Sequence, residues 1–329
     1  LTWEIDVPGM RTATVRMVLR EKIDSWLKSF ESESLINVIK NNVIITGGAI
    51  NSLLMGEKPN DYDVYFKTRE AARQVAEYYV SMFNYNNTLK AVNNYLAVVR
   101  DEVQKNIKGE EENRIVIFMQ SAGVASERQV DNNANYNYFE NGADSDVEKF
   151  FDDLVKTPIE TAFELNRDIL NKEPYRPVFL TDNAITLSNK LQVIIRFHGT
   201  MYDIHRNFDF VHAMGCYDYL IDHLEVSGEI YESILSKNLI YKGSLYPVAS
   251  LFRLRKFLGR GWRITAGQML KIASQISEID LSDPKVLKEQ LIGVDYAYMR
   301  QLIQMLQSRD SGTRVDSIYL ARLIDEIFE

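Results

Sequence analysis

The sequence predicts a mixed α+β domain followed by a mainly α-helical one, on three observations. Short apolar runs closed by turn residues alternate with amphipathic stretches up to about residue 214, and helical periodicity dominates from about 215 onward. The 329 residues suffice for two ordinary domains, which the pattern places at 1–214 and 215–329. The composition, 46% apolar and 26% charged, suits a buried core and excludes disordered, collagenous and coiled-coil classes.

The elements follow in order. Residues 11–39 read as helical, with a break at Ser32 and Ser34. Residues 42–46 form a short apolar run closed by Gly47 and Gly48, the pattern of a strand ending in a tight turn. A short helix over 49–55 and a turn over 56–60 lead to a second strand over 61–66. Ala72, Val75, Ala76, Tyr79, Val80 and Phe83 recur at three-to-four spacing, which predicts an amphipathic helix over 69–83. Residues 84–110 show no clear period and read as an insertion, and 114–120 read as a strand. The Asn-, Tyr- and acid-rich stretch 121–149 reads as a loop. Two further strands are predicted over 177–186 and 191–197, split by a turn at 188–190. The last helix, over 315–328, places Val315, Tyr319, Leu323 and Ile327 on one face.

Charge is unevenly spread. The 38 Lys and Arg against 46 Asp and Glu give a net −8, yet residues 233–277 hold eight Lys or Arg and no acid. A basic segment in an acidic chain is either an anion-binding face or a solvated helix face paired with acids elsewhere. No run of about eighteen apolar residues occurs, so no membrane span is predicted. The start carries acids and lacks the pattern of a secretory signal, and Cys216 is the only cysteine. Both point to a reducing, cytoplasmic setting. The four histidines, His198, His205, His212 and His223, are spaced 7, 7 and 11, which does not match a zinc-binding helix pair.

The chemistry concentrates between Ile45 and Val64. Alternation along a strand puts Asp61 and Asp63 on one face about 7 Å apart. Two such carboxylates can share divalent cations, and hard oxygen ligands favour Mg²⁺ or Mn²⁺. Gly47 and Gly48 stand at the mouth of a helix, where backbone can approach an anion closely and N–H groups can point at phosphate. An Asp-x-Asp pair or a Gly-Gly pair alone is usually a solvated edge or a turn. In the order strand, Gly-Gly, helix, turn, Asp-x-Asp, they point to phosphoryl or nucleotidyl transfer.

This stretch resembles the catalytic signature of the DNA-polymerase-β-type nucleotidyltransferase superfamily. It is most similar to the head of tRNA CCA-adding enzymes and bacterial poly(A) polymerases. Gly47, Gly48, Ile50, Leu53, Leu54, Gly56, Asp61, Asp63 and Val64 match that pattern, while Asn51 and Ser52 stand where the family has Arg-Asp. A second similar stretch runs from Asp203 through Arg206, Asp209 and His212 to Asp218, and a third from Leu251 through Arg253, Arg255 and Arg260 to Ile264. The third lies inside the basic segment. Residues 84–113 and 121–176 stand as insertions against this framework.

The resemblance implies a polymerase-β-like mixed sheet with a helical neck-like domain. It implies a Mg²⁺- or Mn²⁺-dependent enzyme that adds a nucleotide from a nucleoside triphosphate to an RNA 3′ end, tRNA being the favoured acceptor. Asp61 and Asp63 would be the metal-binding catalytic acids. Gly47 and Gly48 would cradle phosphates, and Arg206, Asp209, His212, Arg253, Arg255 and Arg260 would bind the nucleotide. His212 occupies the position of a family Asn. Gln192 stands where the family often supplies a third carboxylate, with Asp209 as the alternative third acid. Two alternatives stay open: transfer to a protein or small molecule, and a catalytically silent binding or assembly protein, which the Asn51, Ser52 and Gln192 departures favour.

Overall fold

Val15, Leu19, Ile23 and Trp26 recur every three or four residues and are fully buried, which makes α1 (Thr12–Leu27) an amphipathic helix with one apolar stripe. The computed structural model describes residues 9–90, 95–105, 111–121 and 174–281, with positions 286, 290, 319, 321 and 322. Ser32 caps α2 (Glu33–Asn42) by accepting from the Leu35 N–H, so the expected break falls where a side chain can satisfy an open helix end. Trp26 donates from its ring N–H to the Tyr79 hydroxyl of α4 (Arg69–Lys90) at 2.7 Å, and Phe30 packs edge-on against both rings. Truncating Trp26 to Ala would cost about 3–5 kcal/mol.

The described residues fall into two compact units. One lies within Leu1–Ala125 and Glu173–Lys242, the other within Gly243–Glu329. The first is built on a seven-stranded mixed sheet, the α+β class the sequence predicts. Its strands are β1 (Val43–Thr46), β2 (Tyr62–Phe66), β5 (Pro177–Leu180), β6 (Ala184–Leu187), β7 (Leu191–His198), β8 (Cys216–Asp218) and β9 (His223–Glu225). Their order is β5-β6-β7-β2-β1-β8-β9. Every pair is antiparallel except β2 with β7, which run parallel with Asp63 opposite Gln192.

β1 is buried at all four positions, as a central strand covered on both faces must be. Alternation then sorts its neighbours. Ile44 of β1, Tyr65 of β2 and Cys216 of β8 pack with Ile204 of α5 (Met201–His205), joined by Ile194 and Phe208. Thr46, Asp63 and Gln192, each two residues from a member of that cluster, share its face of the sheet.

Three regions differ from expectation. The single strand expected over 177–186 is two, β5 and β6, paired antiparallel across a turn at 181–183. The stretch 84–110 has no sequence period, yet it completes α4 and forms β3 (Tyr95–Lys105), paired over its whole length with β4 (Glu111–Ser121). Asp101 lies mid-strand, and Arg69 and Arg73 of α4 neutralise it, Arg73 at 2.6 Å. Beyond 215 the chain first adds β8 and β9 to the sheet before α6 (Gly228–Ser236) begins. The second unit contains α7 (Pro247–Gly259), which opens with Pro at its first turn, and α8 (Ala266–Ser277). The loop expected over 121–149 and most of the helix expected over 315–328 lie outside the described residues. No described helix is long and apolar enough to cross a membrane.

Candidate active site at the glycine corner

β1 ends at Thr46, and the chain turns at once through Gly47 into α3 (Gly48–Leu54). Gly47 has φ 105° and ψ −154°, a backbone conformation that side chains other than hydrogen rarely permit. A Cβ there would stand 3.1 Å from Asp63 Oδ2, so the Asp63 carboxylate faces the corner directly. Nothing lies within 4 Å of a Cβ built on Gly48, which leaves open space beside the first turn of α3.

Asp61 is exposed at the entrance to β2, and Asp63 is half-buried within it. Burial, and then the negative charge of Asp61, hold the Asp63 carboxyl well above the ordinary carboxylate range. Both causes act against ionisation, and a cation between the two acids would reverse the second. The Gln192 position beside Asp63 is neutral. Among the described residues no group of three His, Cys, Asp or Glu could hold a metal. The donor set is thus two carboxylates with an amide on the adjacent strand. Carboxylate oxygens are hard donors, the kind that Mg²⁺ or Mn²⁺ would accept.

One detail of the expected phosphate cradle changes. The Gly47 N–H does not point outward; it donates to the Ala213 carbonyl at 3.1 Å. This bond ties the corner to the 3-10 turn Val211–Ala213, which carries His212. Gly47 therefore contributes close approach, and any free corner N–H groups come from the start of α3.

The remaining predicted residues occupy three places. His212 is buried, and burial lowers its pKa to about 4 while the Asp209 charge acts in the opposite direction, so these two stand together. The Asp209 backbone carbonyl accepts from Lys242 N–H at 2.9 Å. Arg206 is exposed at the end of α5; the Asp203 carboxyl is held below the ordinary range by hydrogen bonds from Thr200, with a lesser contribution from the Arg206 charge. Arg253, Arg255 and Arg260 lie on α7 or at its end in the second unit, Arg255 and Arg260 exposed.

Sequence reasoning gave Thr46 no role and weighed His205 only as a zinc ligand, which its spacing did not fit. Thr46 is fully buried; its hydroxyl is 2.7 Å from the Gly215 carbonyl and 2.8 Å from His205 Nε2. The available signal was a hydroxyl at the end of an otherwise apolar strand, which must find a partner once buried.

Residues 17–237 match the Gabija anti-defense 2 family, well over half of the sequence. The chain belongs to that family. The matched stretch contains Gly47, Asp61, Asp63, Gln192, His205, Asp209 and His212 and ends before Arg253. Among solved structures, the Thermotoga maritima CCA-adding enzyme complexed with tRNA is similar at 11% identity, over 92% of this chain and 53% of that one, with a TM-score of 0.34. An apo form of CCA-adding enzyme is similar at 12% identity, over 97% and 54%, with a TM-score of 0.41. The chain spans about half the length of these two structures. No curated protein matches it.

Proposed function

We propose that this Gabija anti-defense 2 family protein is a divalent-metal-dependent nucleotidyltransferase with its active site at the Gly47–Asp63 corner. The observation that carries the reading is Asp63 Oδ2 lying 3.1 Å from where a Gly47 Cβ would be, with Asp61 near enough to raise the Asp63 pKa. Two adjacent carboxylates, one of them desolvated, form an energetically poor arrangement by themselves and a favourable one around a cation.

Asp61 and Asp63 would hold Mg²⁺ or Mn²⁺. Such an ion, when bound, lowers the pKa of an attacking hydroxyl and neutralises charge on the triphosphate. The protein's own residues then have separate tasks. Gly47 keeps the corner free of side-chain atoms, and the start of α3 offers N–H groups to phosphate oxygens. Asn51, in the next turn of α3, buries its Oδ1 without a hydrogen-bond partner among the described residues. Gln192, paired with Asp63 in the register, would supply a neutral amide there, leaving Asp61 and Asp63 as the two acids that would hold the ion. Arg206, Asp209 and His212 would position the nucleotide. Arg253, Arg255 and Arg260 would hold triphosphate or acceptor backbone by charge-assisted hydrogen bonds.

The sequence resemblance favours an RNA 3′ end as acceptor, tRNA first. The family description supports a second reading, in which the acceptor is a protein of the defence system that this family counters. One experiment separates them. The chain is incubated with each α-labelled nucleoside triphosphate, Mg²⁺ or Mn²⁺, pooled RNA and lysate of cells carrying Gabija. Label in RNA supports the first acceptor and label in protein the second, and Asp63→Asn abolishes either. No transfer under any condition would leave a binding protein and overturn the enzymatic reading.

A further inference from the structure

We propose that His205, acting through Thr46, is a positioning residue that sets the glycine corner against Asp63. The inference rests on the reading of that corner as a metal–nucleotide site and assigns a task to two residues lying beside it.

Thr46 has one hydroxyl proton and two contacts. It donates that proton to the Gly215 carbonyl at 2.7 Å, so its lone pair must accept from His205 Nε2 at 2.8 Å. The proton of the neutral imidazole therefore sits on Nε2. Burial lowers the His205 pKa to about 4, so the ring stays neutral and this arrangement persists at physiological pH. Phe208 packs against the imidazole at a tilt of 50° with ring centres 5.1 Å apart, which restricts the ring's rotation.

The geometry leads directly to the corner. Thr46 immediately precedes Gly47, whose own N–H is held by Ala213. Two consecutive residues are thus tied to the 213–215 segment, Thr46 through its side chain and Gly47 through its backbone. That segment cannot slide freely, because a Cβ on Gly215 would stand 2.7 Å from Ile50 Cγ2 of α3. His205 adds the third tie, from α5 on the same sheet face as Asp63. With Asp63 so close to Gly47, a small shift of the corner closes the space or opens it. Groups hydrogen-bonded to metal ligands commonly carry about 10–100-fold in affinity; Thr46 and His205 stand one step further back, bonded to each other and to Gly215, and act on Asp63 through the position of Gly47.

The test compares donors of the same size. Mn²⁺ binding is followed by electron paramagnetic resonance in the presence of a non-hydrolysable ATP analogue, on chains with native circular dichroism. His205→Gln keeps an N–H that reaches the Nε2 position, whereas His205→Phe keeps the ring and removes the donor. We expect Mn²⁺ affinity within about threefold of wild type for His205→Gln and at least about tenfold weaker for His205→Phe. Thr46→Ser against Thr46→Val carries the same comparison from the other end of the hydrogen bond and serves should His205→Phe not fold. Unchanged affinity in the donor-free variants, or equal loss in both members of each pair, overturns the proposal while leaving the site intact. Absence of Mn²⁺ uptake by the wild-type chain overturns the site reading, and this inference with it.

Discussion

Two acid clusters on the same sheet are built on opposite principles. At the β8–β9 turn, Asp222 meets Arg16 at 3.5 Å and Arg20 at 3.3 Å and accepts from the Tyr217 hydroxyl at 2.8 Å. Asp218 meets Lys67 at 2.6 Å, and Asp24 accepts from the Tyr219 hydroxyl at 2.5 Å. The hydrogen bond from Tyr217 leads the causes that hold Asp222 below the ordinary carboxylate range, helped by both arginines. At the glycine corner, burial and a second acid push Asp63 the other way. Acids that hold α1 to the sheet edge come with their cations and hydroxyl donors. At the corner the charge of Asp61 acts on Asp63 as repulsion, which a bound cation would relieve.

The sharpest way to break this contrast is mutation of the corner acids. Asp61→Ala and Asp63→Ala should each reduce nucleotide incorporation about a thousandfold or more, equivalent to about 4 kcal/mol of transition-state stabilisation, with the melting temperature retained. Near-wild-type turnover in either variant would contradict the assignment. Gly47→Ala comes next. The positive φ and the carboxylate 3.1 Å from the added carbon should cost about 1–3 kcal/mol in urea denaturation and remove activity in the fraction that still folds.

Stability measurements sharpen the comparison through sign. A raised carboxyl pKa means that the folded chain binds the proton more tightly, so the stability Asp63 gives at low pH is lost as pH rises through its folded pKa. Asp63→Asn should therefore stabilise the metal-free protein at pH 7. Asp222→Asn should destabilise it, by no more than about 1 kcal/mol because its ion pairs are solvent-exposed. Chemical denaturation of the two variants side by side checks both signs.

A further pH dependence comes from the buried imidazoles. His205 and His212 both have pKa values of about 4, below the ordinary 6.5, so the unfolded chain binds protons that the fold excludes. Their stability is fully present above pH 6.5 and falls as pH drops toward 4. Between pH 7 and 5 each should contribute a loss of up to about 2 kcal/mol. His205→Gln should flatten the wild-type pH dependence by about that share, read from urea midpoints at the two pH values.

Much of the corner was legible because its signals are local. The apolar run into Gly47, the turn after Gly56 and the alternation of Asp61 and Asp63 each lie within a few residues, and the structure places β1, α3 and β2 where those signals put them. Gln192 was legible as a neutral residue, and the parallel register shows it beside Asp63. Other features depend on partners far away in sequence. β3 hid behind Arg100, Asp101 and Glu102, because the arginines that make Asp101 tolerable belong to α4. β8 and β9 have three residues each, too few for a period to register. The bond between Thr46 and His205 spans 159 positions, and nothing adjacent to either residue announces it.

The central claim concerns the charge state of one carboxyl group, and ¹³C NMR titration of Asp63 reads it directly. In the metal-free chain its midpoint should lie well above the ordinary carboxylate range and fall in Asp61→Asn. With Mg²⁺ and a nucleoside triphosphate analogue bound, Asp63 should remain ionised throughout the range where the metal-free group is protonated. A midpoint in the ordinary range that neither Asp61→Asn nor Mg²⁺ moves would show that the corner is not a cation site.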